Sequence, residues 1–351
     1  MHNNKMKILS IGSMSGLSNT CLHRHWALQK ISDEIDVVNT RKKPFSIWYR
    51  VANRLFQLGL AIRLPDNSSA NKETKEFINK AIETPYDIVW IDKGITINSK
   101  TLAYIRRFSP NTKIVSYSPD NMALRHNQSQ NYLNCIPLYD ILFTTKSYIL
   151  EDMLRLGARK IEFTNNHYEQ TFHYPRILSE DEMQRLGGDV GFIGAWEKER
   201  CASILYLAKN GIKVKVFGDK IWNDYKSENL EIKPGIYSED YSKALQAFRI
   251  SLCFLRKMNS DTQTTRTMEI PACGGFMLAE RTAEHLELFS ENEEAVFFSS
   301  DEELLEKCRY YLNNEEERRR ISEAGIQRCK TSGYSNEEAI KRMLKTALKD
   351  D

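Results

Sequence analysis

The residues with the clearest chemical potential lie in the stretch 261–278, DTQTTRTMEIPACGGFML. Thr264 and Thr265 fit the first turn of a helix, whose unpaired N–H groups can hold an anion. Arg266 and Glu269 stand three apart and so share one helix face. The arginine offers a cationic fork suited to phosphate, and the glutamate a carboxylate suited to paired hydroxyls. Gly274 and Gly275 then turn the chain into a short apolar strand, 276–279. A helix start, a phosphate-type cation, a hydroxyl-binding acid and a tight turn together suit a sugar nucleotide. The same pattern also fits an ordinary helix-to-strand connection with a surface Arg–Glu pair.

Such groups need a frame, and the rest of the chain supplies a regular one. A strand-like run at 6–11 leads into Gly12-Ser-Met-Ser-Gly16 and a helix-like run from about Asn19 to Lys30. This is the opening of a Rossmann-like unit, with Gly12 and Gly16 leaving backbone free to approach a ligand. The spacing is not G-x-G-x-x-G, so a dinucleotide fingerprint is absent. His23 and His25 are two apart in that helix, on different faces, and read as structural. After a strand at 35–38, the rhythm from Tyr86 onward is strand, helix, strand: 87–91, 99–108, 113–117, 140–143, 147–156 and 161–163. Alternation of this kind predicts a parallel sheet covered by helices on both faces. Ligand groups in such sheets gather at the carboxyl ends of strands, where Asp92, Lys93, Asp120 and Asn121 stand.

The polar run 164–188 reads as a linker. A second alternating series begins with strand 189–193, followed by Gly194-Ala-Trp-Glu-Lys-Glu-Arg200, which puts Lys198 and Arg200 just after a strand end. Strands at 213–217, 230–233, 250–255 and 295–298 follow, and the chain closes on helical sequence. The expected domains are therefore 1–175 and 186–330, with a C-terminal helix at 331–351 that either stands alone or packs back on the first domain.

Size and composition agree. The chain has 351 residues, 41% hydrophobic and 28% charged, which is the size of two soluble domains. No run approaches the ~20 apolar residues of a membrane span, and the N-terminus carries no signal-peptide pattern. Seven scattered cysteines, an odd number with no CxxC pair, predict a reducing, cytoplasmic setting and no structural zinc. The net charge of +3 is unevenly spread, at +8 over residues 1–175 and −5 over the remainder. A basic first half predicts contact with something anionic, or simply a solvated basic face. Residues 41–64, RKKPFSIWYRVANRLFQLGLAIRL, concentrate that charge among aromatic and aliphatic side chains. Trp48, Val51, Ala52 and Leu55 fall at helical spacing with Arg50 and Arg54 off the stripe. This is either an interfacial helix touching anionic lipid or a lipid-linked acceptor, or a long helix packed on the first sheet.

The second half resembles the glycosyltransferase group 1 family of the CgeB spore-maturation type. The resemblance runs from DVGFIGAWEKER through KVKVFG and TRTMEIPACGGFMLAE to EHLELFSENEEAVFFSSDEELLEKCRYYL and RRRISEAG, over roughly residues 189–325. The first half is similar more loosely, through SPDN and TTKS. The resemblance implies an α/β GT-B fold, two Rossmann-like domains facing each other across a cleft. It implies transfer of a sugar from a nucleotide-diphosphate donor to a glycan or lipid-linked acceptor in bacterial surface polysaccharide or glycoconjugate assembly. It implies Glu269 on the ribose, Arg266 on the diphosphate, Thr264 and Thr265 at the helix N-terminus, and Lys198 and Arg200 as basic phosphate contacts. Gly274, Gly275, Gly12 and Gly16 complete the expected donor-binding set. No metal cluster and no cofactor beyond the nucleotide-sugar co-substrate are expected, protein cations taking the place of magnesium. An inverting enzyme would need a base, with Asp120 first and Asp92 second, although both could be helix N-caps instead. The chain departs from many relatives in lacking a full E-x7-E motif and in carrying Gly333-Tyr334-Ser335 where a histidine is common. The alternatives are a non-catalytic sugar-nucleotide or glycan-binding assembly protein of the same fold, and a nucleic-acid binder, for which no motif speaks.

Overall fold

The computed structural model describes residues 6–41, 43 and 45–349. It divides into two units, Met1–Asn165 with Glu337–Asp351, and Asn166–Asn336. In the first unit the strands are β1 (Lys7–Gly12), β2 (Glu34–Asn39), β3 (Ile88–Asp92), β4 (Lys113–Ser118), β5 (Ile141–Thr144) and β6 (Ile161–Phe163). All pair in parallel, in the order β2-β1-β3-β4-β5-β6. Alternate strand residues feed two cores: Leu9, Val89, Ile114 and Leu142 on one face, Ile8, Trp90, Val115 and Phe143 on the other. That two-sided burial explains why these strands read as continuous apolar runs.

The second unit also holds six strands, β7 (Gly188–Ile193), β8 (Val214–Gly218), β9 (Leu230–Pro234), β10 (Phe248–Cys253), β11 (Met277–Glu280) and β12 (Val296–Phe298). Its sheet is again parallel, in the order β12-β11-β10-β7-β8-β9. Strand order reverses between β1 and β3 in the first unit and between β7 and β10 in the second. Doubly wound sheets bind ligands at the carboxyl ends of the strands flanking such a reversal.

Three expectations need correction. The first domain does not extend to residue 175. Tyr168 N–H donates to Tyr334 O (3.2 Å) and Asn336 N–H to Tyr168 O (2.8 Å), which ties this segment to the second unit. The run 164–188 is also not plain linker, because Ser179 and Glu182 cap a helix, Glu180–Leu186. At the C-terminus the helix Asn336–Leu348 follows the helix Glu315–Thr331 of the second unit. They are separated at Gly333, whose φ of +64° suits a residue without Cβ. The last helix places Ala339, Ile340, Met343 and Leu344 in the core on one face of the first sheet.

The third correction concerns the basic segment, of which Lys42 and Pro44 lie outside the described residues. Its helix is short, Ile47–Gln57, and turns Tyr49, Ala52 and Phe56 inward. Tyr49 and Ala52 join Leu64 in a small satellite cluster rather than the sheet's main cores. Of the stripe noted in the sequence, Trp48 and Val51 are exposed and Ala52 is buried. Among the described residues no helix is long and apolar enough to cross a membrane.

Candidate functional site

At the reversal point of the second sheet, β7 ends and the chain passes through Glu197 into the helix Lys198–Lys209. Arg200 sits one turn inside that helix and is only 3% exposed. Its Nε donates to Leu255 O (3.3 Å), just beyond β10, and its Nη1 to Ala195 O (3.3 Å), just beyond β7. Arg200 thus stitches the two strand ends together with a fixed guanidinium, while its Nη2 is buried with no hydrogen-bond partner. Glu197, also buried, accepts from Arg256 Nε (3.2 Å) and Lys257 N–H (3.2 Å) and lies 3.7 Å from Arg200 Nη1. One carboxylate therefore serves two arginines. Burial pushes the Arg200 pKa down, Glu197 opposes the shift, and the neighbouring Arg266 and Arg256 add to it.

Arg266 is the second residue of the helix Thr265–Ala272. Its Nε is buried and has no hydrogen-bond partner. Burial works against its charge, but Tyr241 and Glu269 more than compensate, so its pKa is raised. Glu269, one turn further on, is 3% exposed and accepts a short hydrogen bond from the Tyr241 hydroxyl. Its other oxygen lies 3.6 Å from His173 Nε2. Burial first of all holds the His173 pKa down to about 3, so at neutral pH this approach is not an ion pair.

The first turn of this helix is held by a relay of donors. Thr264 N–H donates to Thr267 Oγ1 (3.1 Å), which leaves the Thr267 hydroxyl hydrogen for His285 Nε2 (2.9 Å). His285 Nδ1 lies 2.6 Å from Glu280 O and so carries the ring proton, and burial lowers this histidine's pKa. The Thr264 hydroxyl is turned inward, 3.7 Å from Cys253 Sγ. The amides of Thr265 and Arg266 open the helix, where no carbonyl one turn back exists to take them. Two cations with unsatisfied donors and two leading amides make this strand edge a place for a polyanion.

The remaining donor-side expectations divide. Lys198 is exposed at the start of its helix, unlike its buried neighbour Arg200. Gly274 and Gly275 lie past the other end of the helix Thr265–Ala272, about 12 Å of helix away from its N-terminus. They have packing reasons instead: Gly274 has φ +82°, and a Cβ on Gly275 would meet Leu245 O at 2.3 Å. Asp261, eight residues before Glu269, is an acid where an E-x7-E motif would place its first glutamate, and it accepts from Asn259 Nδ2 (2.8 Å). Glu197, Arg256 and Tyr241 escaped the sequence reading. Arg256 could have been found, since it directly follows the apolar run 250–255.

At the reversal point of the first sheet the charges are matched. Arg24 Nε and Nη2 grip both oxygens of Asp92 (2.6 and 3.0 Å), and the guanidinium lies over the Tyr117 ring. The pair is buried, and each Asp92 oxygen is held by Arg24. Gly12 serves the same packing, since a Cβ there would meet Cys21 Sγ at 2.4 Å and Asp92 Cβ at 3.0 Å. Gly16 lies in the following loop with φ +86°. Asp120 is different. It is half-buried at the end of β4, and Lys93 Nζ contacts only its Oδ2. Lys93 itself has φ +61°, a costly backbone for a residue with a side chain. Among the described residues no group of three or more His, Cys, Asp or Glu side chains is placed to hold a metal ion.

Residues 200–345 match the model of a family described as glycosyl transferase-like. No curated protein matches the chain. The chain is similar to an α-glucosyltransferase solved with UDP and a 13-mer DNA, at 12% identity and a TM-score of 0.67, covering 98% of this chain and 99% of that one. It is similar to sucrose-phosphate synthase from Thermosynechococcus elongatus, at 11% identity and a TM-score of 0.64, covering 97% and 98%. It is similar to HepE of Anabaena in complex with UDP, at 13% identity and a TM-score of 0.59, covering 97% and 100%. The fold is that of the GT-B glycosyltransferases, with two Rossmann-like domains.

Proposed function

We propose that the protein is a glycosyltransferase that moves a sugar from a nucleotide-diphosphate donor onto an acceptor hydroxyl. The reading is carried by Arg200 and Arg266, each of which keeps a buried guanidinium nitrogen without an acceptor at the edge of the second sheet. A diphosphate brings the missing acceptor oxygens and the opposite charge. The solved relatives named with UDP make a uridine diphosphate sugar the first donor to try. Glu269 is assigned to the ribose hydroxyls, with Tyr241 fixing its position. In the transfer the acceptor oxygen attacks the anomeric carbon as the bond from that carbon to the β-phosphate oxygen breaks. The bonding electrons pass to the departing diphosphate, where the two arginines and the helix N-terminus stabilise the growing charge. We assign this duty to protein cations rather than to a metal ion. Asp120, whose Oδ1 is not taken by Lys93, is assigned to receive the acceptor proton. We place the acceptor among bacterial surface glycans or lipid-linked sugars, in line with the CgeB-type resemblance, and the activity in the cytoplasm or at its membrane face.

The test is donor turnover, measured as release of nucleoside diphosphate from a panel of nucleotide sugars, alone and with simple glycan acceptors. The wild type should turn over one donor, and Arg200→Ala and Arg266→Ala should each lose that activity while remaining folded. Full activity in both variants would remove the site assignment.

A further inference from the structure

The helix Ile47–Gln57 keeps an apolar face that its own unit does not cover. Ile47 is 80% exposed, Trp48 62% and Leu58 67%, and Phe45, Val51 and Leu60 are exposed as well. Isolated exposed residues such as Ile177 and Met183 are ordinary, but six within sixteen residues are not. Ile47, Val51 and Leu58 follow helical spacing along one side, while Tyr49, Ala52 and Phe56 bury the opposite side. The inward face anchors the helix: Phe56 lies under the Arg125 guanidinium (4.1 Å) and Tyr49 stacks on Phe45 (4.0 Å).

The rim of this face has one sign. Between Asp36 and Asp66 the chain holds six Lys and Arg and no acid. Arg41, Lys43, Arg50, Arg54 and Arg63 are all exposed. Among the described residues no ion pair holds Arg50, Arg54 or Arg63, whereas many other surface cations have one, as Lys341 and Arg155 do. A protein partner with a mixed surface would not require so uniform a rim, and a second copy would bring cations against cations. Apolar side chains bordered by unpaired cations match the boundary between acyl chains and anionic headgroups.

We propose that this face docks the protein on an anionic phospholipid surface, with Ile47, Trp48, Val51 and Leu58 entering the acyl boundary and Arg50 and Arg54 meeting headgroup phosphates. The proposal deepens the reading of a lipid-linked acceptor, but the docking itself needs neither donor nor acceptor. The test uses the full chain, without nucleotide, sedimented with vesicles of phosphatidylcholine alone or with about one third phosphatidylglycerol. Binding should require phosphatidylglycerol and weaken as salt shortens the Debye length. Arg50→Ser with Arg54→Ser should lower partitioning roughly 30-fold. Ile47→Ser with Leu58→Ser should lower it by about 100-fold. Trp48 emission should shift blue on binding, and Trp48→Phe should remove that shift while the protein still sediments. Absence of wild-type binding to the anionic vesicles would overturn the proposal. So would a concentration-dependent dimer abolished by Ile47→Ser with Leu58→Ser, which would give the face to a second copy. An unchanged circular dichroism melt shows that the variants are folded, and nucleotide turnover, scored separately, keeps failure of docking distinct from failure of the transferase reading.

Discussion

Both sheets are six-stranded and parallel and each reverses its strand order once, yet their carboxyl edges treat charge in opposite ways. In the first unit Arg24 closes bidentate on Asp92 and Lys93 pairs with Asp120. In the second, Glu197 is shared by Arg200 and Arg256, and Arg200 and Arg266 keep donors that no protein atom satisfies. A buried, unsatisfied cation costs stability, and a fold keeps one where something else supplies the anion. That difference is the reason for proposing the second edge, rather than the first, as the polyanion site, a choice that topology alone would leave open.

The largest expected effect separates the two first-unit carboxylates. Asp120→Asn should lower transfer by 10²–10⁴-fold, the usual worth of a positioned base, and leave nucleotide affinity unchanged. Steady-state transfer beside a nucleotide titration checks this, and wild-type turnover would discard Asp120 as the base. Asp92 should behave as structure. Arg24→Ala, which strands its carboxylate in the interior, should destabilise by about 3–5 kcal/mol in denaturant unfolding. A loss below ~1 kcal/mol would mean that the first edge is not held by that pair.

Acid should expose the second unit. His173 is buried and its folded pKa is lowered to about 3. Below the ordinary imidazole value of ~6.5 the unfolded chain gains a proton that the folded chain refuses. Stability should therefore fall as pH drops from about 6.5 towards 3 and cease falling on this account below that. The loss is a few kcal/mol, roughly 1.4 for each unit of separation. His173→Phe should flatten that part of the curve, and an unchanged slope would count against a neutral His173. The smallest effect tests the support of Glu269. Tyr241→Phe should cost about 1–3 kcal/mol by leaving a buried carboxylate oxygen without its donor. It should also weaken nucleotide binding, and Glu269→Gln should weaken it for the ribonucleotide more than for its dideoxy analogue.

Much of the fold was legible because a parallel sheet buried on both faces writes itself as short apolar runs alternating with helices. Arg200 and Arg266 were legible for a related reason: a strand end and a helix start are where such folds meet ligands. What could not be read were partnerships across the chain. Arg24 reaches Asp92 over 68 residues, and Tyr241 reaches Glu269 over 28. Nothing at Asp92 distinguishes it locally from Asp120, since both follow an apolar strand. Gly274 and Gly275 looked like a ligand turn because a turn and a close backbone approach call for the same residue. The stripe of the helix Ile47–Gln57 left two readings open, because spacing shows that residues share a face without saying whether that face looks inward.

The most direct test of the central claim is calorimetric titration of UDP into the wild type, Arg266→Ala, Arg200→Ala and Lys93→Ala. Binding by the wild type and Lys93→Ala, with a loss of roughly 10–100-fold in each arginine variant, is the predicted result, as expected for a lost charge-assisted hydrogen bond. Undiminished affinity in both arginine variants would contradict it and move the anion site away from the edge of the second sheet.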